Sequence, residues 1–210
     1  MPDISKQRKA QLEAATKEKV ALAVFRIFEK HHPKKLTIDM VARKSGMSKG
    51  ALYKHFRNKD DIVTFAILHA LDPYLQKNLS IANGSLPVID KLRASAEVSL
   101  TCTEEMLDFL HFMIQSASIY SIQTIKAMNE RRFQNWSRIE GIMGQGLRQG
   151  VLDGADERNL TLYFAGVVRF AYLLRSKLPK ELRRSFAEDA DKIVERFLCG
   201  VTRRKPDAEV

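Results

Sequence analysis

Along most of the chain apolar residues recur every three or four positions, and runs that alternate apolar with polar are scarce. That period belongs to helices with one buried face. It predicts an all-α protein, with helices near 10–30, 37–44, 48–55, 59–82, 87–101, 103–128, 130–149, 157–177 and 180–201. The breaks between them carry their own chemistry. Pro33 follows the first helix, Gly46 the second, and Gly84 and Pro87 flank a third break. Gly150 opens the turn "VLDGAD", and Pro179 separates the last two helices. Glycine leaves a helix through a left-handed residue at little cost, and proline cannot continue one.

The stretch "SGMSKGALYKHF" (residues 45–56) holds a helix too short to stand alone in water. Its surroundings give it support. Thr37 is placed to cap "IDMVARKS", Ser45-Gly46-Met47 makes a tight turn, and Ser48 caps the short helix itself. Leu52 and Phe56, four apart, share the face that packs inward, with Ile38 and Val41 opposite them. Lys49, Gly50, Ala51, Tyr53, Lys54 and His55 are left on the flanks and the outer face. This is a helix-turn-helix, whose second helix enters the DNA major groove. Gly50 and Ala51 let the backbone come close. Lys49 reaches a guanine edge or a phosphate, while Tyr53, Lys54 and His55 suit phosphate oxygens, which set register without reading sequence. The competing reading is a solvated connector carrying chance charges.

Charge distribution separates the two. Residues 1–60 hold 15 of the 35 Lys and Arg but 6 of the 25 Asp and Glu, a net of +9. Residues 61–210 hold the other 20 and 19, a net of +1. A segregated excess points to a polyanion at the N-terminal part, either nucleic acid or an anionic membrane surface. The reading divides the chain into a helix-turn-helix domain at 1–62, a helical ligand-binding and dimerisation domain at 63–205, and a frayed tail at 206–210. The helix near 59–82 runs from the first into the second and can act as a lever.

"TIDMVARKSGMSKGALYKHFRNKDDI", Thr37 to Ile62, resembles the DNA-binding domain of the TetR family of transcriptional regulators. Thr37, Val41, Ala42, Gly46, Ser48, Gly50, Leu52, Tyr53, His55, Phe56, Lys59 and Asp60 fit the family pattern. "VALAVFRIF" resembles the family's first helix, although His31-His32-Pro33 stands where the family usually has glycine. The resemblance covers about residues 17–65. It implies a homodimer on a pseudo-palindromic operator of double-stranded DNA, most often a repressor that a small-molecule effector releases. By matching position it implies DNA contacts from Thr37, Ser48, Lys49, Tyr53, Lys54, His55 and Lys59. Arg8, Lys9 and Lys17 either add backbone contacts or, for the first two, belong to a disordered basic arm.

In the remaining two-thirds, "LTLYFAGVVRFAYLL" is apolar nearly all round. Tyr163, Gly166, Val167, Phe170 and Leu174 make one face of it; Ile193, Phe197 and Val201 make another on the final helix. Two such helices per subunit would form a four-helix dimer interface. Arg169, a charge in that apolar stretch, reaches an interface carboxylate or lines a pocket. In "DFLHFMIQSASIYSIQTIK", His111, Gln115 and Ser118 share a face beside Phe112, and Trp136 could cap a cavity there, a pattern that suits a small apolar or aromatic ligand. The same stripe would equally be a solvated side. A protein of this fold that takes no ligand and acts through a protein partner or architecturally is the second reading.

No enzyme chemistry stands out. "GIMGQGLRQG" lacks the strand and the Lys-Ser/Thr ending of a phosphate loop and reads as the close-packed end of a helix. His31 and His32 are adjacent, so they do not share a face as a metal pair, and no cofactor is implied. No apolar run approaches a membrane span, and no apolar segment follows the basic N-terminus as in a secretory leader. Cys102 and Cys199, far apart, read as buried reduced thiols of a cytoplasmic protein.

Overall fold

The computed structural model describes residues 4–28, 30–31, 35–105, 121–154, 156–175 and 177–201. Among them every regular element is helical: α1 (Ile4–Phe28), α2 (Ile38–Ser45), α3 (Lys49–Tyr53), α4 (Lys59–Asn83), α5 (Val88–Glu105), α6 (Ile122–Arg148), α7 (Glu157–Arg175), a 3₁₀ turn (Lys180–Leu182) and α8 (Phe186–Val201). They form two compact units. One holds residues up to 73 with 121–131; the other holds 74–105 with 132–201. Pro73 lies inside α4, where the division falls. It has no N–H to give to the preceding turn.

In the first unit the buried side of α1 (Val20, Ala23, Val24, Ile27) packs with Val41 and Ala42 of α2, and Leu52 and Phe56 join that core. Ile62, Val63, Ala66 and Ile67 supply the inner face of α4. The first turns of α6 belong here too. Thr64 and Thr124 share a hydroxyl hydrogen bond of 2.6 Å, and Arg131 pairs with Asp72 at 3.3 Å. The second unit is built on three matched stripes: Val88, Leu92, Ala96 and Leu100 of α5; Leu160, Phe164, Val168 and Tyr172 of α7; Ala190, Ile193, Val194 and Phe197 of α8. Each fully buried side chain of this size is worth about 1.5–3 kcal/mol of burial, so the spacing of the stripes fixes which helix faces meet.

Several boundaries differ from the sequence reading for local reasons. Arg8 and Lys9 are helical, as α1 begins at Ile4. Past the end of α1, Lys30 and His31 both donate to the Ile27 carbonyl. The final helix starts at Phe186 because Ser185 and Glu188 form a reciprocal cap: Ser185 Oγ accepts from the Glu188 N–H at 3.2 Å, and the Glu188 carboxylate accepts from the Ser185 N–H at 2.9 Å. The helix placed near 130–149 begins earlier, at Ile122. Gly150, at φ 68°, ends α6 as expected. "GIMGQGLRQG" is indeed tightly packed: a Cβ on Gly146 would lie 2.6 Å from Leu152 Cδ1 and 3.0 Å from Val88 Cγ1. Cys199 is exposed and Cys102 partly buried, so the two are not the pair of buried thiols the sequence suggested.

Candidate nucleic-acid interface

The helix-turn-helix is assembled by caps. Thr37 is extended, and its Oγ1 accepts from the Met40 N–H at 3.2 Å, starting α2. Gly46 ends α2 at φ 70°; the Met47 N–H then reaches back to the Ala42 carbonyl at 2.9 Å, the hydrogen bond that folds the chain into a reversed turn. Ser48 Oγ accepts from the Ala51 N–H at 3.1 Å and starts α3. The five residues of α3 are held by Leu52, which is fully buried, and by Phe56, whose ring lies 5.5 Å from that of Phe65. What remains outward is Lys49, Gly50, Tyr53 and Lys54, exposed, with Ala51 and His55 half-buried beside them. A capping hydroxyl uses a lone pair on the backbone, so Thr37 and Ser48 keep an O–H to donate to an acceptor outside the protein.

Two features here were missed in the sequence reading. Lys49 Nζ lies 2.6 Å from Asp39 Oδ1, tying the first residue of α3 to the first turn of α2. Asn58 caps α4: its Oδ1 accepts from the Asp61 N–H at 2.8 Å while Asp61 accepts from the Arg57 N–H at 3.0 Å. The second could have been found, since Asn followed three residues later by an acid is an N-terminus signature. Lys59 is therefore the first residue of α4, exposed. On α1, Lys17 pairs with Glu13 at 2.8 Å. That contact holds the Glu13 carboxyl below the usual range, with smaller help from the charges of His55 and Lys9. Glu13 thus feels His55, which lies two residues beyond α3.

The remaining candidates are dispersed. His111, Phe112, Gln115 and Ser118 lie outside the described residues. Trp136 is half-buried on α6. Arg169 is exposed on α7; burial and then the Arg169 charge lower the Arg132 pKa. On α7, Tyr163, Gly166, Val167, Phe170 and Leu174 form an exposed stripe, with Tyr163 63% and Phe170 62% accessible. The α8 part of the expected interface needs correction. Ile193 and Phe197 are only 7% and 6% accessible because they fill the subunit's own core against α5 and α7, and they have little surface left for a partner. Val201 is the last residue of α8.

Among the described residues no group of three or more His, Cys, Asp or Glu is placed to hold a metal ion, and no helix is long and apolar enough to cross a membrane.

Residues 22–64 match the family model described as bacterial regulatory proteins, tetR family. No curated protein matches the chain. Solved structures share its fold over most of its length. The fatty acid degradation regulator FadR of Bacillus halodurans is 16% identical, with 88% of this chain and 95% of that one covered at a TM-score of 0.71. FadR of Bacillus subtilis, solved with stearoyl-CoA, is 15% identical over 87% and 98%, TM-score 0.69. The TetR-family regulator PfmR of Thermus thermophilus is 19% identical over 86% and 97%, TM-score 0.66. The matched segment runs from the end of α1 through α2, the turn and α3 into α4, so residues 22–64 are similar to the tetR family of bacterial regulatory proteins, and the chain as a whole shares the fold of these solved structures.

Proposed function

We propose that this regulator is a homodimer that binds a pseudo-palindromic operator and represses transcription until a small apolar ligand releases it. The observation that carries the DNA-reading part is the outward set Lys49, Gly50, Tyr53 and Lys54 on a helix whose two capping hydroxyls, Thr37 and Ser48, keep free O–H donors. Ala51, His55 and Lys59 border it. Lys49 is the base-reading candidate; Thr37, Ser48, Tyr53, Lys54, His55 and Lys59 anchor phosphates, and Gly50 and Ala51 allow close approach. The 1–62 segment does this work, and the chain beyond it carries the dimer and effector functions.

The dimer reading rests on the exposed stripe of α7. Its five positions follow helical spacing, Leu162 and Leu173 beside them are exposed too, and exposed apolar side chains clustered on one helix mark a partner surface. A second copy meeting it across a two-fold axis would give the dimer two reading heads, one for each half-site of a pseudo-palindrome. For the effector, acyl chains are the first class to test, because one protein of the same fold is a fatty acid degradation regulator and another, FadR of Bacillus subtilis, was solved with stearoyl-CoA. His111, Phe112, Gln115, Ser118, Trp136 and Arg169 remain the ligand-contact candidates.

The deciding experiment is capture of sheared source-genome DNA by the purified protein at physiological salt, followed by sequencing. A single palindromic motif supports the reading. Broad enrichment without a motif would replace it with an architectural role. Addition of long-chain acyl-CoA to the captured complex then tests release, and a complex that resists every acyl chain rejects the acyl class.

A further inference from the structure

We propose that Asp39 is a selectivity residue of the reading head, acting through Lys49: it holds the lysine in the free protein and keeps it from binding phosphate indiscriminately. The inference rests on the DNA-reading role proposed above and adds a regulator of its discrimination. Between Thr37 and Phe56 the chain has four basic residues, Arg43, Lys44, Lys49 and Lys54, and one acidic residue, Asp39. That single carboxylate sits at contact distance from the one lysine at the start of α3, with Nζ to Oδ1 at 2.6 Å.

Fold stability does not account for the pair. Both side chains are more than half exposed, and such pairs contribute little to folding. Helix α2 is already capped by Thr37, so Asp39 is not needed to start it. The consequence is electrostatic. A lysine ammonium is a compact charge with three rotatable donors and no preferred plane, so left alone it accepts any phosphate oxygen. With Asp39 in contact, an incoming phosphate must displace a carboxylate and endure its charge. A base edge is neutral: guanine O6 or N7 can accept a hydrogen bond from the Lys49 ammonium without that repulsion. The acid therefore penalises backbone binding more than base binding, which raises the ratio between operator and random DNA. Discrimination by an unfavourable term is a general route to specificity.

The test uses the full-length protein, the motif-bearing duplex recovered from genomic capture, and a scrambled duplex of the same length, each titrated across a salt series. Wild type, Asp39→Asn, Lys49→Ala, the double variant and Glu18→Gln are compared; Glu18 is an exposed acid on α1 that serves as the control for net charge. Asp39→Asn is expected to tighten scrambled-duplex binding about fivefold at low salt, the size of one contact between unit charges in water, and to change motif binding less than about twofold. Its salt slope on the scrambled duplex should steepen by about one. In the Lys49→Ala background the Asp39→Asn effect should vanish. Equal tightening on both duplexes, the same gain from Glu18→Gln, or a gain that survives Lys49→Ala would each overturn the proposal. Asp39→Ser is the second variant should the asparagine fail to fold. If the wild type itself does not distinguish motif from scrambled DNA, it is the DNA-reading role that fails, a result visible before any variant is compared.

Discussion

Phe170→Ala tests the assembly most directly. Phe170 stands at the centre of the α7 stripe, 62% accessible, with Tyr163, Val167 and Leu174 around it. Full burial of a phenylalanine side chain is worth about 1.5–3 kcal/mol. The exposed fraction of Phe170 can therefore gain about 0.9–1.9 kcal/mol from a partner. A two-fold interface contains the residue twice, so the substitution removes about 2–4 kcal/mol from the dimer, which is roughly 25- to 500-fold in its dissociation constant. The folded subunit should be almost untouched, because the side chain contributes little to the internal core. Sedimentation velocity over a concentration series reads the dissociation constant, and thermal melts of both proteins at a concentration where each is monomeric read the subunit. Operator binding should weaken in parallel, since two half-sites must be engaged at once. An unchanged dimer constant in Phe170→Ala and in the more disruptive Phe170→Glu would refute the assignment. A large loss of melting temperature for the isolated subunit would show that the ring is structural instead.

Other outcomes follow from local geometry. Gly46→Ala should destabilise the first unit by about 1–2 kcal/mol in chemical denaturation, the cost of left-handed backbone with a Cβ, because no neighbour within 4 Å adds a steric term. Gly146→Ala should cost about 1–3 kcal/mol by forcing Leu152 and Val88 apart, with no effect on the intrinsic DNA contacts when the folded protein is assayed. Lys54→Ala should weaken binding to all DNA and reduce the salt slope by about one, while Lys49→Ala should change sequence preference more; equal loss on every duplex from both would refute that division. Ser185→Ala removes an N-cap worth about 1 kcal/mol. The hydrogen bonds from the Ser185 side chain and backbone hold the Glu188 carboxyl below its usual range. Their contribution is thus present above the ordinary glutamate pKa and lost as pH falls through the lowered one. The gap in melting temperature between wild type and Ser185→Ala should shrink as pH drops from about 6 to about 3, and a gap that widens would contradict the sign.

The sequence by itself determined the helices and the reading head. Periodicity marked where the helices run, and at Thr37, Gly46, Ser48 and Gly150 the cap chemistry acts within a few residues of itself, so local order was enough to specify it. Leu52 and Phe56 declared their inward face for the same reason. Tertiary structure decided the rest. Ile193, Phe197 and Phe170 look alike as apolar positions on helices, but only the meeting of α5, α7 and α8 determines that the first two are consumed inside the subunit while the third stays outside. Arg169 and Arg132 stand 37 positions apart in the chain, and only the fold brings the charge of one to bear on the other. The Asp39–Lys49 contact joins residues ten apart on two helices, and its existence depends on the angle that Gly46 sets between them. Hydrophobic pattern says that a face must be buried; it does not say against what, because burial is non-directional and the partner is chosen by packing.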